Sequence, residues 1–170
     1  RSQRYSYGVW NDKQVACYFN DDYELIGQKL RDSNKNFTTR GSSWSKSPLF
    51  GQHLFKGGRR VTVCEGEIDT LTMAQLTELK WPVVGVPNGA QAAAKAFSNN
   101  LEFLESFEEV VIMFDQDEAG RKSAVQCAEL LTPGKARIAN LPGKDANELH
   151  LNHKSDQVVH SMWNAKTHRP

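Results

Sequence analysis

The stretch that decides the fold is VVIMF at residues 110–114, followed at once by DQDEAGR at residues 115–121. An uninterrupted apolar run of this length, bounded by polar residues, is typical of a strand covered on both faces. A second compact strand, RVTVC at residues 60–64, is likewise followed directly by acidic residues, in EGEID at 65–69. Two buried strands that end in acids predict a parallel sheet with polar side chains gathered at one edge.

The segments around these strands alternate between strand and helix patterns. Beyond residues 60–64 we predict a helix over 69–80, a strand over 83–86, a helix over 91–107, the strand 110–114, a helix over 119–131 and a strand over 136–139. This order predicts the α/β class, with parallel strands joined by crossover helices.

The chain before Gly57 has a different pattern. Residues 5–10, 15–19 and 24–30 favour short strands separated by turn-forming residues, whereas 31–47 is rich in Ser and Asn and favours a loop. We therefore predict a small antiparallel sheet of three or four strands. The resulting division is a basic β-rich lobe over 1–56, a catalytic domain over 57–153, and a C-terminal helix with the start of a linker over 154–170.

Composition excludes several classes of protein. The 170 residues contain 21 Lys plus Arg and 20 Asp plus Glu, a formal net charge of +1, so the chain is not uniformly basic. No apolar run approaches the roughly 20 residues that span a bilayer. Cys17, Cys64 and Cys127 form no CxxC pair, which predicts neither a zinc site nor a disulfide framework and favours a reducing, intracellular compartment. Because the chain lacks an initiator Met, we expect it to be a piece of a longer protein.

Three acids follow the two central strands directly, namely Glu65, Asp115 and Asp117. Like charges in one place are costly unless a cation lies between them, and Mg²⁺ prefers a few carboxylates plus waters and phosphate oxygens. One interpretation is therefore a metal site. The other is that these acids form turns and cap helices, as Asp and Glu often do.

The basic residues also allow two interpretations. Residues 29–46 carry five Lys or Arg, among them Lys29, Arg31 and Lys35, against a single acid. Such a run is usually a solvated face, but next to a nucleotide site it would contact phosphate. Arg121, just after the second acidic motif, and Lys95 are further candidate nucleotide contacts.

The stretches VTVCEGEIDTLTM (61–73) and VVIMFDQDEAGRKSA (110–124) resemble the two signature motifs of the TOPRIM (topoisomerase-primase) domain. The segments YGVWND (7–12), QKLRDSNKNF (28–37), VGVPNGAQAAAK (84–95) and LPGKDANELHLNH (141–153) extend this resemblance to the RNA polymerase core of phage T-seven-type primase-helicases, which are related to the mitochondrial Twinkle helicase. The sequence departs from that family at Pro87-Asn88-Gly89, where phage relatives often carry a Gly-His-Gly type turn.

The resemblance implies roles for particular residues. Glu65 would be a metal ligand or general base, and Asp115 and Asp117 would be the metal-binding pair. Asp69 and Asp145 match further acids of the family site. Lys29 and Lys35 match lysines that contact the incoming nucleotide or the growing RNA.

The function implied is that of a DNA primase catalytic core, a nucleotidyltransferase that makes short RNA primers from ribonucleoside triphosphates on single-stranded DNA. One or two Mg²⁺ ions, replaceable by Mn²⁺, would assist nucleotidyl transfer. The sequence has no GxxxxGK[ST] loop and no four-Cys module, so a hexameric helicase domain and a zinc-binding module are expected elsewhere in the protein. We expect it to act in the cytoplasm of an infected bacterium, or in an organelle if it is Twinkle-like.

Two alternatives use the same residues differently. A TOPRIM-type nuclease would hydrolyse a phosphodiester with the same acids. A non-catalytic module of a replicative helicase would bind single-stranded DNA without chemistry. A topoisomerase would need a tyrosine nucleophile, and no tyrosine here has a supporting motif.

Overall fold

The computed structural model describes residues 3–41 and 44–170, in two packed parts. The first part is an antiparallel sheet whose four strands follow one another in chain order. The strands are β1 (Tyr7–Trp10), β2 (Lys13–Phe19), β3 (Leu25–Arg31) and β4 (Phe37–Gly41). The predicted small antiparallel sheet is therefore confirmed.

The predicted loop over 31–47 is wrong in one respect, because Phe37–Gly41 forms the edge strand β4. Every residue of β4 is exposed, so the strand lacks the alternation of buried and exposed side chains that identifies strands in a sequence. Its pairing with β3 is what makes it a strand. The loop prediction also covers Ser42 and Ser43, which lie outside the described residues. A short 3₁₀ turn follows at Trp44–Lys46.

The second part is a five-stranded sheet with the order β6-β5-β7-β8-β9. Its strands are β5 (Gly58–Cys64), β6 (Val83–Gly85), β7 (Phe107–Met113), β8 (Ala136–Ile138) and β9 (Lys166–Thr167). All neighbours are parallel except β8 and β9. This confirms the α/β fold class, and β9 adds an antiparallel edge formed by residues that were expected to begin a linker.

Helices cover both faces of this sheet. They are α1 (Glu67–Leu76), α2 (Ala90–Asn99), α3 (Leu101–Glu105), α4 (Glu118–Leu130), α5 (Ala146–Leu151) and α6 (Ser155–Trp163). The single helix predicted over 91–107 is wrong, because the chain breaks at Asn100. The Asn100 side-chain amide donates to the carbonyl oxygens of Ala96 (2.9 Å) and Ser47 (3.1 Å). Phe107 already belongs to β7.

Central strands β5 and β7 form the core because their β-branched residues are buried on both faces of the sheet. Val61, Val63, Val110 and Ile112 are fully inaccessible and pack in one cluster with residues of α2 and α4. Val111 belongs to a second cluster on the opposite face, with residues of α1, α5 and α6. Rigid strands of this kind fix the positions of whatever follows their carboxyl ends.

The two parts are joined through polar and aromatic contacts. Tyr5, fully buried, donates from its hydroxyl to the Val83 carbonyl at 2.7 Å. Phe50 exchanges two backbone hydrogen bonds with Gly85 (2.8 and 3.1 Å), and Tyr18 packs against the Phe50 ring. The small sheet is therefore docked at the edge strand β6. Among the helices of the described ranges, none combines the length and apolar character needed to cross a membrane.

Candidate functional site

A cleft of about 630 Å³ opens between the small sheet and the carboxyl ends of the central strands. Cross-strand partners of the small sheet share one face, as in the rows Gln14–Arg31–Phe37 and Ala16–Lys29–Thr39. That face forms one side of the cleft. The other side is acidic and polar and consists of Glu65, Gly66, Glu67, Ile68, Asp69, Asn88, Gly89, Asp115, Lys144, Asp145 and Asn147.

Three carboxylates meet at the sheet edge. Asp69 lies in the first turn of α1, Asp115 follows β7, and Asp145 is the N-cap of α5. Each offers an oxygen within 4.8 Å of the other two. Asp69 Oδ1 accepts from the backbone N–H of Asn147 at 2.9 Å, and Asp145 Oδ1 accepts from that of Glu148 at 2.7 Å. The orientation of both groups is thus fixed by backbone donors.

Burial and the neighbouring charges raise the affinity of the carboxylates for protons. Burial, together with the charges of Asp145 and Asp115, raises the pKa of Asp69 to about 7, although the Asn147 N–H opposes the shift. Burial also raises the pKa of Asp115, followed by the charge of Asp145. At neutral pH the charge of such partly buried carboxylates is balanced either by a retained proton or by a bound cation.

Glu65 lies beside this cluster. Its Oε1 is buried and has no hydrogen-bond partner in the described part of the chain. Burial, and after it the charge of Asp115, raises the pKa of Glu65 to about 7. An ideal Cβ placed on Gly120 would lie 2.1 Å from the Asp115 carbonyl oxygen and 3.0 Å from Glu65 Oε1, so only glycine allows this close approach.

Asp117 is placed differently from Glu65 and Asp115. It is exposed, it is the N-cap of α4, and its Oδ1 accepts from the Gly120 N–H at 2.7 Å. It is not a member of the group of three, and its capping role is the alternative that the sequence left open.

The predicted basic residues divide into two sets. Lys29, Arg31 and Lys35 line the cleft opposite the acids. Lys95 lines a separate groove of about 210 Å³ near Trp44. Arg121 lies outside the main cleft and donates to the Gln116 carbonyl oxygen.

Lys29 is more constrained than a surface lysine. Its side chain is 11% exposed, and its Nζ lies 3.1 Å from Glu67 Oε1 and 2.5 Å from the Pro87 carbonyl oxygen. The ammonium also lies 4.5 Å from the centre of the Phe37 ring. Arg31 stacks on the same ring at 5.3 Å. Both cations are therefore held on the cleft side of the sheet.

Sequence reasoning missed several residues of the cleft. Lys144 lines it next to Asp145, and its charge lowers the pKa of Asp69 and of Asp115. Its position directly before Asp145 in GKDANEL was a usable signal. Asn147 acts through its backbone N–H, which no side-chain pattern could have indicated.

The donor set suits a hard divalent cation. Asp69, Asp115 and Asp145 provide clustered carboxylate oxygens, which Mg²⁺ prefers over nitrogen or sulfur. The buried, unpartnered Glu65 Oε1 is a further free acceptor beside them. Because cationic side chains lie on the opposite side of the same cleft, the arrangement can hold a metal and an anionic ligand together.

Comparisons with known proteins agree with this geometry. Residues 62–150 match the Toprim-like family, and residues 3–41 match the N-terminal α+β fold of the bacteriophage T7 DNA helicase/primase. A DNA helicase/primase of Enterobacteria phage T3 is 45% identical over 152 residues, which are 89% of this chain and 27% of that protein. The chain therefore spans about a quarter of the length of this curated relative.

Two solved structures are closely similar. The crystal structure of the primase fragment of the bacteriophage T7 primase-helicase matches with a TM-score of 0.90 and 44% identity, covering 95% of this chain and 69% of that one. The other shows T7 lagging-strand DNA polymerase interacting with primase domains bound to an RNA/DNA hybrid and dTTP. It matches with a TM-score of 0.91 and 44% identity, covering 98% of this chain and 87% of that one. The resemblance seen in the motifs is confirmed, and this chain belongs to the Toprim-like family.

Proposed function

We propose that the chain is the catalytic core of a DNA primase, a DNA-directed RNA polymerase that extends short RNA on a single-stranded DNA template. The observation that carries this proposal is that the acidic cluster and the cationic side of the small sheet face one another across one cleft. Nucleoside triphosphates and RNA/DNA hybrids present phosphates to cations and bind divalent metals at the same time. The similarity to the T7 primase fragment supports this choice among TOPRIM activities.

Asp69, Asp115 and Asp145 would hold one Mg²⁺ ion, and Mn²⁺ would fit the same oxygen ligands. A second ion would require Glu65 and Asp117 together with Asp115. The bound metal would stabilise negative charge on the phosphate oxygens during attack and departure.

The chain's own residues orient the ligand. Lys29, Arg31 and Lys35 bind phosphate from the side opposite the acids. Glu65 either accepts the proton of the attacking 3′-hydroxyl or acts as a metal ligand. Lys95 lies outside the cleft, so its contacts would be with template or product, whereas Arg121 lines a smaller pocket of about 160 Å³ that includes Asp115.

The remaining parts of the protein would supply the other functions. We propose that a zinc-binding module reads the template, that a hexameric helicase domain follows, and that the whole acts inside an infected bacterial cell. The division into a lobe over 1–56, a catalytic domain over 57–153 and a C-terminal segment over 154–170 is part of the same proposal.

The test is primer extension by the 170-residue chain. A short RNA is annealed to a DNA template and incubated with labelled ribonucleotides and Mg²⁺, which avoids any need for sequence-specific initiation. Extension by one or more nucleotides is expected, and Glu65→Gln should abolish it. Glu109→Gln is the matched control, because Glu109 pairs with Arg60 through side chains near the opposite end of β7 from Asp115. Template cleavage without extension would instead identify a nuclease, and binding without either reaction a non-catalytic module.

A further inference from the structure

Glu67 is the one acid of the EGEID segment (65–69) whose side chain is paired away from the carboxylate cluster of Asp69, Asp115 and Asp145. It lies between Glu65 and Asp69 at the start of α1 and is only 9% exposed. The hydroxyl of Tyr18, on β2, donates to Glu67 Oε1 at 2.6 Å. The ammonium of Lys29, on β3, lies 3.1 Å from the same oxygen and 3.4 Å from Oε2. A buried carboxylate is thus fully paired by two strands of the other sheet.

Lys29, which is ion-paired with Glu67, also contacts the turn at residues 87–89. Its Nζ donates to the Pro87 carbonyl oxygen at 2.5 Å. The next two residues, Asn88 and Gly89, line the cleft, and Gly89 takes a φ of 70°, which favours glycine. An ammonium has three donors, so Glu67 and Pro87 account for two and one is left for a ligand in the cleft that Lys29 lines.

The two parts of the fold do not depend on this network alone. Tyr5 bonds to Val83, and Phe50 pairs with Gly85, without involving Glu67 or Lys29. Loss of the Glu67 charge would therefore leave the sheets docked while releasing the Lys29 ammonium and the turn beside it. Loss of the Glu67 charge would therefore change the shape of the cleft.

We propose that Glu67 is a positioning residue that fixes Lys29 and the 87–89 turn against the segment carrying Glu65 and Asp69. The proposal rests on the primase function above. Through Lys29, Glu67 sets the distance between the phosphate-binding side and the metal-binding side of the cleft. It does not itself touch metal or substrate.

Glu67→Gln tests this role, since glutamine keeps the size and its amide oxygen can still accept from Tyr18, but it has no charge with which to form an ion pair with the Lys29 ammonium. In primer extension the KM for ribonucleotide should rise roughly tenfold, the equivalent of one charge-assisted hydrogen bond. The melting shift produced by Mg²⁺ should stay at its wild-type value. A lost Mg²⁺ shift would show that Glu67 is a metal ligand, and a wild-type KM would show that it positions nothing; either result overturns the proposal.

Glu109→Gln is the control for a merely structural ion pair, because Glu109 pairs with Arg60 and Arg137 on the same sheet and lies outside the cleft. It should lower the melting temperature and leave the KM unchanged. If Glu67→Gln does not fold, Glu67→Asp replaces it, because aspartate keeps the charge but withdraws the carboxylate by one methylene. The proposal then requires a KM for ribonucleotide that is roughly threefold or more above the wild-type value.

Measurements on the wild-type and Glu67→Gln proteins distinguish failure of this proposal from failure of the primase function on which it rests. A wild-type chain that extends no primer refutes the primase function. The dissociation constant of Mg²⁺-ATP, measured by calorimetry, then decides the role of Glu67: an increase of roughly tenfold in Glu67→Gln supports it, and no increase overturns it.

Discussion

Replacing Asp115 with asparagine should separate metal binding from folding, because the two effects have opposite signs. Asp115, Asp69 and Asp145 place carboxylate oxygens within 4.8 Å of one another. Without metal these charges repel, so a neutral amide of the same size should leave the fold as stable or make it more stable. With metal the same substitution removes a ligand, so the stabilisation that Mg²⁺ provides should be lost.

The magnitudes follow from the geometry. Two unit charges 4.8 Å apart repel by about 3 kcal/mol at an effective dielectric constant of 20. Solvent screening at this half-exposed site reduces the gain in the metal-free variant to roughly 1 kcal/mol. Mg²⁺ at about 100 times its dissociation constant adds about 2.7 kcal/mol to the wild type. For a chain of this size that corresponds to a rise in Tm of about 5–10 °C.

The assay is thermal unfolding at pH 8, where the carboxylates are ionised, over a series of Mg²⁺ concentrations. Wild type should show the full shift, and Asp115→Asn should show less than about 2 °C. Asp156→Asn, at an exposed acid in the first turn of α6, is the control and should keep the wild-type shift. The reasoning is refuted if Asp115→Asn keeps the shift, or if the metal-free variant melts well below the metal-free wild type.

Three further predictions concern stability and substrate use. Gly120→Ala should lower the stability by about 1–3 kcal/mol in chemical denaturation, because its Cβ would meet the Asp115 carbonyl at 2.1 Å, whereas Gly66→Ala, with nothing within 4 Å, should be tolerated. Without Mg²⁺, stability should fall as the pH rises from 4.5 to about 7, because folded Glu65 retains a proton that the unfolded chain has released; a flat or rising profile in calorimetry would contradict this. Lys35→Asn should raise stability by up to about 1 kcal/mol, since Lys35 has a φ of 65° that asparagine tolerates, and should also raise the nucleotide KM roughly tenfold; unchanged primer extension would exclude Lys35 from phosphate binding.

The α/β domain could be predicted from the sequence because its strands carry their own signal. Residues 110–113 and 61–64 are mostly apolar and include several β-branched side chains, since these parts of β7 and β5 are buried on both faces. The edge strand β4 gave no such signal, because all its residues are exposed and its pairing with β3 defines it. The break between α2 and α3 was equally hidden, since Asn100 acts through a contact with Ser47, about fifty residues earlier.

The site was partly predictable, and the missing part has a physical reason. The i, i+2 spacing of Asp115 and Asp117 predicts two side chains on one side of an extended segment. The helix α4 begins at Glu118, however, so Asp117 becomes its N-cap and bonds to the Gly120 N–H. Asp145 is also an N-cap, of α5, yet it lies in the cluster. A capping pattern alone therefore does not reveal which acid the fold brings to the metal site.

The near-neutral composition conceals the most informative property of the molecule, which is how its charge is distributed. The formal charge of +1 arises from 21 cationic and 20 acidic residues, and the few of them that line the cleft are divided between its two sides. Lys29, Arg31 and Lys35 come from the small sheet, whereas Glu65, Asp69, Asp115 and Asp145 come from the edge of the large one. The like charges within each set repel one another. A ligand that carries both phosphates and a divalent cation would balance the charge of both sets together. Since neither part of the fold contains both sets, we expect nucleotide binding to depend on the docking of the two sheets, and contacts such as those of Tyr5 and Glu67 to matter for function as well as for stability.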